Sequence, residues 1–173
     1  MPHHPGLDPI ETLLAIEEIK AVFAKRLRVM DAKQWDLYPG CHTDDVVSET
    51  YGGLPRRFQP QTDGESNRVV GPEAVTRAIA GFLDGPVPIT SVHHGHTPEI
   101  ELTSATTARG VWAMEDHLWW QDPGGVEQSL HGYGHYHEEY RRVRGRWLIS
   151  HRRLSRLRVD TTPGFYEFLS ARL

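Results

Sequence analysis

The chain has 173 residues, of which 38% are hydrophobic and 24% are charged, and its formal net charge at pH 7 is −4. These values are typical of a globular domain, so they exclude wholesale disorder and give no reason to expect a nucleic-acid partner. The length is sufficient to bury one hydrophobic core, and we predict a single domain over residues 1–173.

The cysteine content and the apolar runs bear on the cellular compartment. Cys41 is the only cysteine, so no intrachain disulfide forms, which is usual in a reducing compartment. No apolar run approaches the roughly 20 residues that a membrane helix needs. Residues 1–8 are polar and rich in proline and histidine, unlike a signal peptide. We therefore predict a cytoplasmic protein with no membrane partner.

The first predicted element is an amphipathic helix that ends near Asp31. Asp8 supplies an N-cap for it and Pro9 a first-turn proline. Apolar residues then recur at the helical spacings of three and four: Ile10, Leu13, Leu14, Ile16, Ile19, Val22, Phe23, Leu27 and Met30. A short second helix is predicted for residues 32–38, where a Pro-Gly pair follows, and a short strand for residues 46–51.

A long loop and another helix come next. Residues 52–70 are rich in glycine, proline and polar residues, which predicts a loop of a length that is usually functional or mobile. Gly71 and Pro72 then open a helix that extends to Leu83 and is apolar along one side.

Four long strands complete the chain. Residues 92–102, 108–120, 126–143 and 146–159 are rich in aromatic and β-branched residues, and short turn-forming stretches separate them. Strands joined by such turns pair antiparallel. The order of elements predicts an α+β fold in which helices pack on one face of a curled sheet, with a small-molecule pocket between them.

Asp31 is the first candidate for chemistry. An acid at the C-terminal end of a helix faces the negative end of the helix dipole, which is unfavourable unless something compensates. Two interpretations remain open from the residues alone. Asp31 is either the N-cap of the short helix that we predict after it, or a carboxylate that points into the pocket and orients a histidine.

Histidine is over-represented, with 11 copies. An imidazole in a partly apolar pocket gives and takes a proton near neutral pH, so the clusters are candidates for acid–base work. Strict alternation places His94, and not His93, in register with Ile100 and Leu102, whereas a bulge at Gly95 would turn His93 inward. From the residues alone, both histidines remain candidates. The clusters are His93, His94 and His96, then His117, then His131, His135 and His137.

Two further features of the strands are a possible metal-binding pattern and an arginine that shares the parity of apolar residues. His94 and His96 share one face of a strand and Glu99 follows, as in cupin-type metal sites, but the spacing to the acid is short and the flanking glycines are missing. We therefore predict no metal. Arg152 shares strand parity with Leu154, so an inward orientation is open to it, from which it would hold a substrate oxyanion or the Asp31 carboxylate.

Five short segments carry a resemblance to a known family. They are MDAKQWD at 30–36, GPEAV at 71–75, VHHG at 92–95, GHYHEEY at 134–140 and GRWLI at 145–149. In their order and spacing the chain resembles SnoaL-like members of the nuclear transport factor 2-like superfamily, and is most similar to the scytalone dehydratase and hexachlorocyclohexane dehydrochlorinase branch. The resemblance implies a cone-shaped barrel, in which a curled, mostly antiparallel sheet wraps around the N-terminal helices, assembled as a homodimer or homotrimer.

The resemblance also implies roles for single residues. Asp31 and His93 match an aspartate–histidine dyad that abstracts a proton in that branch. His117 matches a second histidine of the dehydratase, and Tyr51 corresponds approximately to its tyrosine. Arg152 matches an arginine of the dehydrochlorinase and of a related bile-acid dehydratase.

The chain departs from the family pattern at several positions around the implied pocket. Met30 stands where the dehydratase has a tyrosine, and Tyr136 lies near the position of its asparagine. Arg26 stands where the dehydrochlorinase has a lysine. The predicted substrate-binding residues are Arg26, His94, Trp112, Trp119, Phe82 and Tyr136.

These observations predict an enzyme without a cofactor, because no motif for a nucleotide or a flavin is present. The expected activity is that of a dehydratase-like lyase or isomerase, which acts on a small, oxygenated and partly apolar molecule. The alternatives are a non-catalytic domain that binds a ligand or a protein, and the small subunit of an aromatic-ring dioxygenase.

Overall fold

The computed structural model describes residues 8–51 and 68–165. Its two α-helices are α1, Pro9–Asp31, and α2, Pro72–Leu83. Asp8 caps α1 as predicted, because its carboxylate accepts hydrogen bonds from two N–H groups of the first turn while the Glu11 side chain accepts one from the Asp8 N–H. The predictions for both helices are confirmed.

The short helix predicted for residues 32–38 is not formed. Lys33 has a φ of 56°, which ends the helical path, and the N–H groups of Lys33 and Gln34 donate to the carbonyls of Met30 and Val29. This is a Schellman-type ending, in which a left-handed residue closes the last turn. The chain then forms only a single 3-10 turn, Pro39–Cys41. Asp31 is therefore not the N-cap of a second helix.

Six strands form one mixed sheet. The strands are β1, His42–Tyr51; β2, Arg68–Val70; β3, Thr90–Leu102; β4, Thr107–Gln121; β5, Glu127–Val143; and β6, Arg146–Thr161. Their order across the sheet is β2-β1-β6-β5-β4-β3, with every neighbouring pair antiparallel except β1 and β6. Part of the loop predicted for residues 52–70 is thus strand β2, and residues 52–67 lie outside the described residues.

The core lies between the helices and one face of the sheet. Alternate residues of β4 are buried, as expected for a strand with one covered face: Ala108, Trp112, Met114, Leu118 and Trp120. Phe23 of α1 stacks on Trp112 with ring centroids 3.6 Å apart, which fixes the helix against the sheet. The sheet is curled and open, with β2 and β3 at its edges, and the α+β prediction is confirmed. Among the described residues no helix is long and apolar enough to cross a membrane.

A bulge in β3 sets which of its residues face the core. Gly95 pairs with Met114 and Pro98 with Trp112. Between these two pairs β3 advances by three residues and β4 by only two, so β3 contains one extra residue. Gly95 is required at this point because a Cβ there would overlap the ring of Phe23. The bulge reverses the alternation of β3 and turns His93 toward α1.

Candidate active site

Asp31 and His93 are joined where the end of α1 meets β3. Nδ1 of His93 lies 2.6 Å from Oδ1 of Asp31, and the backbone N–H of His93 donates to Oδ2 at 2.8 Å. The side chain of His93 is only 8% exposed. Two bonds to one carboxylate fix both the position of the strand and the orientation of the imidazole ring.

The carboxylate of Asp31 is stabilised in its charged form. Burial alone would raise its pKa, but the hydrogen bonds from His93 and Ser91 lower the pKa below its ordinary value. The Ser91 hydroxyl donates to Oδ1 at 2.9 Å and itself accepts from Nζ of Lys33 at 2.9 Å. An ionised carboxylate only accepts, so Nδ1 of His93 carries the hydrogen, and in the neutral imidazole the lone pair is therefore on Nε2.

An ion pair, formed by Asp116 and Arg156, lies near Nε2 of His93. Oδ2 of Asp116 is 3.9 Å from Nε2 of His93. Asp116 is 2% exposed, and both of its oxygens accept from Arg156 at 2.5 Å. Burial would lower the pKa of Arg156, but the bonds to Asp116 raise it, so the guanidinium stays charged. Gly132 faces this pair, and a Cβ there would overlap both side chains.

These groups line a cavity of about 330 Å³ between α2 and the sheet, a volume within the range of small-molecule sites. Most of the wall is apolar, and the residues that supply it are Met30, Val69, Val75, Ala78, Ile79, Phe82, Leu83, Leu118, Leu130, Leu154, Val159 and Phe165. The polar side chains are His93, Asp116, Arg156, Arg152, Ser48 and Tyr136. Burial raises the pKa of Tyr136 to about 12, so its phenol is protonated at neutral pH.

The structure brings several of the predicted site residues together at this cavity. His93, Phe82, Arg152 and Tyr136 line it, and Asp31 contacts His93 from behind. Tyr51 closes β1, and its side chain lies outside the described part of the structure.

His117 and Trp119 lie on the outer face of the sheet. Both alternate with the buried Asp116 and Leu118 along β4, so they point away from the cavity. The ring of His117 contacts that of His131, with centroids 3.4 Å apart. The sequence-based prediction that these two residues line the pocket is therefore not met, because their side chains are on the opposite face of β4.

His94 also lies on the outer face, with a 59% exposed side chain. Its Nδ1 lies 3.4 Å from Oε1 of Glu115, and Nε2 of His96 lies 3.9 Å from the same oxygen. Across residues 8–51 and 68–165 no group of three or more histidine, cysteine or acidic side chains is arranged to hold a metal ion. The absence of a metal and of a cofactor stays a prediction.

Arg26 and Trp112 belong to the core and not to the cavity wall. Arg26 is fully buried and donates from Nη2 to Oε1 of Glu138 at 2.8 Å. Oε2 of Glu138 accepts from Tyr140, whose oxygen accepts from Nε1 of Trp112 at 2.9 Å. Arg26 has its own carboxylate inside the protein, so the structure does not offer it to a substrate.

Asp116, Arg156 and Ser91 belong to the site but are not predicted from the sequence. Asp116 was visible only as a neighbour of His117, and strand parity at this point was ambiguous because apolar residues follow on both faces. Arg156 is one of several arginines in this part of the sequence, so the sequence does not distinguish it from the others. In the structure Asp116 lies opposite Gly132 on β5, where the missing side chain leaves room for it. This pairing would have indicated that Asp116 faces inward, but it is known only once the register of β4 and β5 is known.

His42 predicts a pH dependence of stability. Burial lowers its pKa to about 3, assisted by the positive charges of Arg26 and Arg152, while the bond to the Tyr38 carbonyl opposes the shift. An unfolded histidine titrates near 6.5, so between these two values the unfolded chain binds a proton that the folded protein does not. The free energy of unfolding should therefore fall as the pH is lowered through this window.

We expect His42 to account for a loss of about 3 kcal/mol between pH 7 and pH 4. Urea unfolding of the wild type and of His42→Phe at several pH values measures it, because the variant has no imidazole to protonate. The exposed His96→Phe is the control, and it should keep the wild-type slope. Parallel curves for the wild type and His42→Phe would show that His42 does not titrate in this way.

The fold and the cavity place the chain in a class of proteins. A curled six-stranded sheet with helices on one face and a pocket between them is the nuclear transport factor 2-like fold. The family model of the SnoaL-like domain matches residues 11–153, and the chain belongs to that family. The resemblance drawn from the sequence is thereby confirmed.

Solved structures show the same fold at low sequence identity. A putative scytalone dehydratase from Novosphingobium aromaticivorans superposes with a TM-score of 0.71 at 15% identity, covering 88% of this chain and 91% of that one. A hexachlorocyclohexane dehydrochlorinase, LinA-type3 from Novosphingobium barchaimii, gives 0.71 at 18% identity, covering 91% and 96%. An NTF2-like protein with a cystatin-like fold from Novosphingobium aromaticivorans gives 0.63 at 16%, covering 95% and 92%.

Proposed function

We propose that this protein is a cofactor-independent lyase or isomerase of the dehydratase type, in which Asp31 and His93 form the general base. The observation that carries the proposal is the 2.6 Å contact between Nδ1 of His93 and Oδ1 of Asp31 at the wall of an otherwise mostly apolar cavity. Similarity to a scytalone dehydratase and to a dehydrochlorinase, whose names describe eliminations, supports the reaction class.

The hydrogen-bonding pattern accounts for the first step. Because Asp31 holds the hydrogen on Nδ1, the lone pair of Nε2 accepts a proton from a carbon next to a carbonyl group of the substrate. The imidazolium that forms lies between two carboxylates, with Asp31 at 2.6 Å and Asp116 at 3.9 Å, and this placement stabilises its charge.

The second step disposes of the electrons and of the leaving group. The electron pair of the broken C–H bond forms a carbon–carbon double bond, and a hydroxyl group on the next carbon departs with the proton from Nε2 as water. Negative charge that develops on the substrate carbonyl is stabilised by the protonated phenol of Tyr136, which lines the cavity. No redox partner is needed.

The apolar wall restricts the substrate. A molecule with a largely hydrophobic body fits side chains such as Phe82, Ile79 and Leu118, and an apolar enclosure excludes the water that would weaken the charge interactions. Small oxygenated and partly apolar molecules are therefore the proposed substrates. A cytoplasmic location and assembly as a homodimer or homotrimer stay predictions.

The test is proton exchange, which requires no knowledge of the leaving group. The wild type is incubated in D₂O with a panel of β-hydroxy ketones and β-hydroxy thioesters, and deuterium incorporation and alkene formation are followed by NMR. We expect His93→Ala to lose about 10²–10⁴ of the rate on any substrate that reacts. The matched control is His94→Ala, on the outer face of the same strand, which should keep the wild-type rate.

Two outcomes would contradict the proposal. One is a His93→Ala variant that exchanges at the wild-type rate. The other is a wild type that exchanges no substrate although the unsaturated ketone or thioester products bind in the cavity. The second result would favour a domain that only binds its ligand.

A further inference from the structure

In the described chain two arginines, Arg26 and Arg152, are buried beneath the sheet and a third, Arg156, is partly buried there, and the three differ in how their charges are balanced. Arg26 is paired with Glu138 at 2.8 Å and Arg156 with Asp116 at 2.5 Å. Arg152 is 5% exposed, but the ion pairs within residues 8–51 and 68–165 include none that involves it. Of the three, Arg152 is the one that forms no ion pair in the described chain, because its cross-strand neighbour Glu138 is already bonded to Arg26 and Tyr140.

The other contacts of Arg152 are weak for a buried cation. Nη1 donates to the hydroxyl of Ser48 at 3.2 Å, and buried Nε has no hydrogen-bond partner in the described structure. The guanidinium lies over the ring of Tyr136, 5.7 Å from its centroid. The neighbouring His42 is kept neutral by its lowered pKa and offers no negative charge. A buried guanidinium without an anion is costly, because the lost hydration is not replaced.

The balance of charges on the cavity wall points to an anionic ligand. Among the described residues the charged members of the lining are Asp116, Arg156 and Arg152, and the first two form an ion pair. Asp31 contacts His93 from behind and is not part of the wall. The described part of the wall therefore presents one positive charge that has no ion-pair partner, within a mostly apolar enclosure.

We propose that the ligand of this cavity is an apolar molecule with a carboxylate group, and that Arg152 binds that carboxylate. The inference rests on the proposed function in taking the cavity as the substrate site, and it adds the substrate class. A carboxylate matches the planar guanidinium and replaces the missing anion in an environment that strengthens the pair. The hydrophobic body then lies against the apolar wall, within reach of His93.

The experiment compares acids with neutral amides of the same shape. Binding of hexanoate, hexanamide, 3-phenylpropanoate and 3-phenylpropanamide to the wild type is measured by calorimetry at pH 7.5. We expect the acid to bind about tenfold more tightly than its amide or better, since a charged partner is gained. Arg152→Gln should abolish this preference, Arg152→Lys should keep part of it, and the exposed neighbour Arg153→Gln should keep all of it.

Stability in the absence of ligand gives a second, independent reading. Arg152→Met removes an unpaired charge and should leave the urea midpoint unchanged or raise it. Arg26→Met removes the partner of Glu138 and should lower the midpoint. Equal losses in both variants would mean that the chain itself compensates Arg152, and would overturn the inference.

The outcomes also separate this inference from the proposed reaction. His93→Ala lacks the proposed base but keeps Arg152, so it should retain the preference for acids. A wild type that binds no carboxylate, or that binds acid and amide equally, overturns the inference even if neutral substrates undergo exchange. Preference for acids without any proton exchange supports the inference and counts against the reaction.

Discussion

Asp31→Asn should lower kcat/KM by about 10²–10⁴ on any substrate that the wild type converts. An amide NH₂ that donates to Nδ1 of His93 would place the ring hydrogen on Nε2, where the lone pair for proton abstraction is needed. The neutral amide also cannot stabilise the imidazolium as the ionised carboxylate does at 2.6 Å. Steady-state kinetics of the two proteins near neutral pH measure the loss.

The fold of Asp31→Asn must be shown to be intact for this comparison to hold. Circular dichroism and urea unfolding serve that purpose, and Asp84→Asn provides a matched control. Asp84 accepts a hydrogen bond from Nε1 of Trp35 at 3.0 Å but does not line the cavity, so its variant should keep the wild-type kcat/KM. Wild-type turnover by a folded Asp31→Asn would exclude the dyad mechanism.

Glu138→Gln should produce the largest loss of stability among the substitutions considered. Arg26 and Glu138 both have 0% exposed side chains, and the arginine has no other carboxylate within salt-bridge distance in the described structure. Removal of one member of a buried pair leaves an uncompensated charge, at a cost of about 3–5 kcal/mol. The free energy of unfolding, measured by urea denaturation at pH 7, is expected to fall by that amount.

The double variant Arg26→Met with Glu138→Leu separates the charge from the packing. It removes both charges and should be more stable than Glu138→Gln, because no buried charge is left unpaired. Glu139→Gln is the control, since Glu139 is exposed on the same strand and should change stability by less than about 0.5 kcal/mol. A Glu138→Gln protein as stable as Glu139→Gln would show that the pair contributes little.

The helices and long strands were predictable because their signals are local. The end of α1 and the limits of β3 to β6 agree with the predictions to within two residues, since periodicity, a capping box and short turns are all written in neighbouring residues. The prediction of a helix at 32–38 was wrong because Lys33 adopts a left-handed backbone conformation, which ends the helical path. Nothing in the composition of this segment indicates that conformation. The parallel pairing of β1 with β6 joins distant segments, so the sequence held no sign of it.

The candidate site was predictable where the type of residue was sufficient to identify it. It was not predictable where the answer depended on which face of a strand a residue occupies. Asp31 with a histidine of the His93–His94 pair was expected, and the choice between the two histidines followed from a bulge. On β4, Asp116 and His117 differ by one position, and Leu118, Trp119 and Trp120 are apolar on both faces. The alternation of apolar and polar residues therefore does not show which face of β4 is buried. Only the pairing of β4 with β5 shows that Asp116 faces the core.

The bulge between Gly95 and Pro98 makes the length of β3 more critical than its composition. Each residue removed from a strand turns every side chain on one side of the deletion to the opposite face. Deletion of Thr97 would thus carry Val92 toward Asp31 and expose His93, although no residue that contacts the cavity had been replaced. Substitutions at Thr97 leave the number of residues in β3 unchanged. Sequence variation at this bulge is therefore tolerated only when the length of the strand is kept.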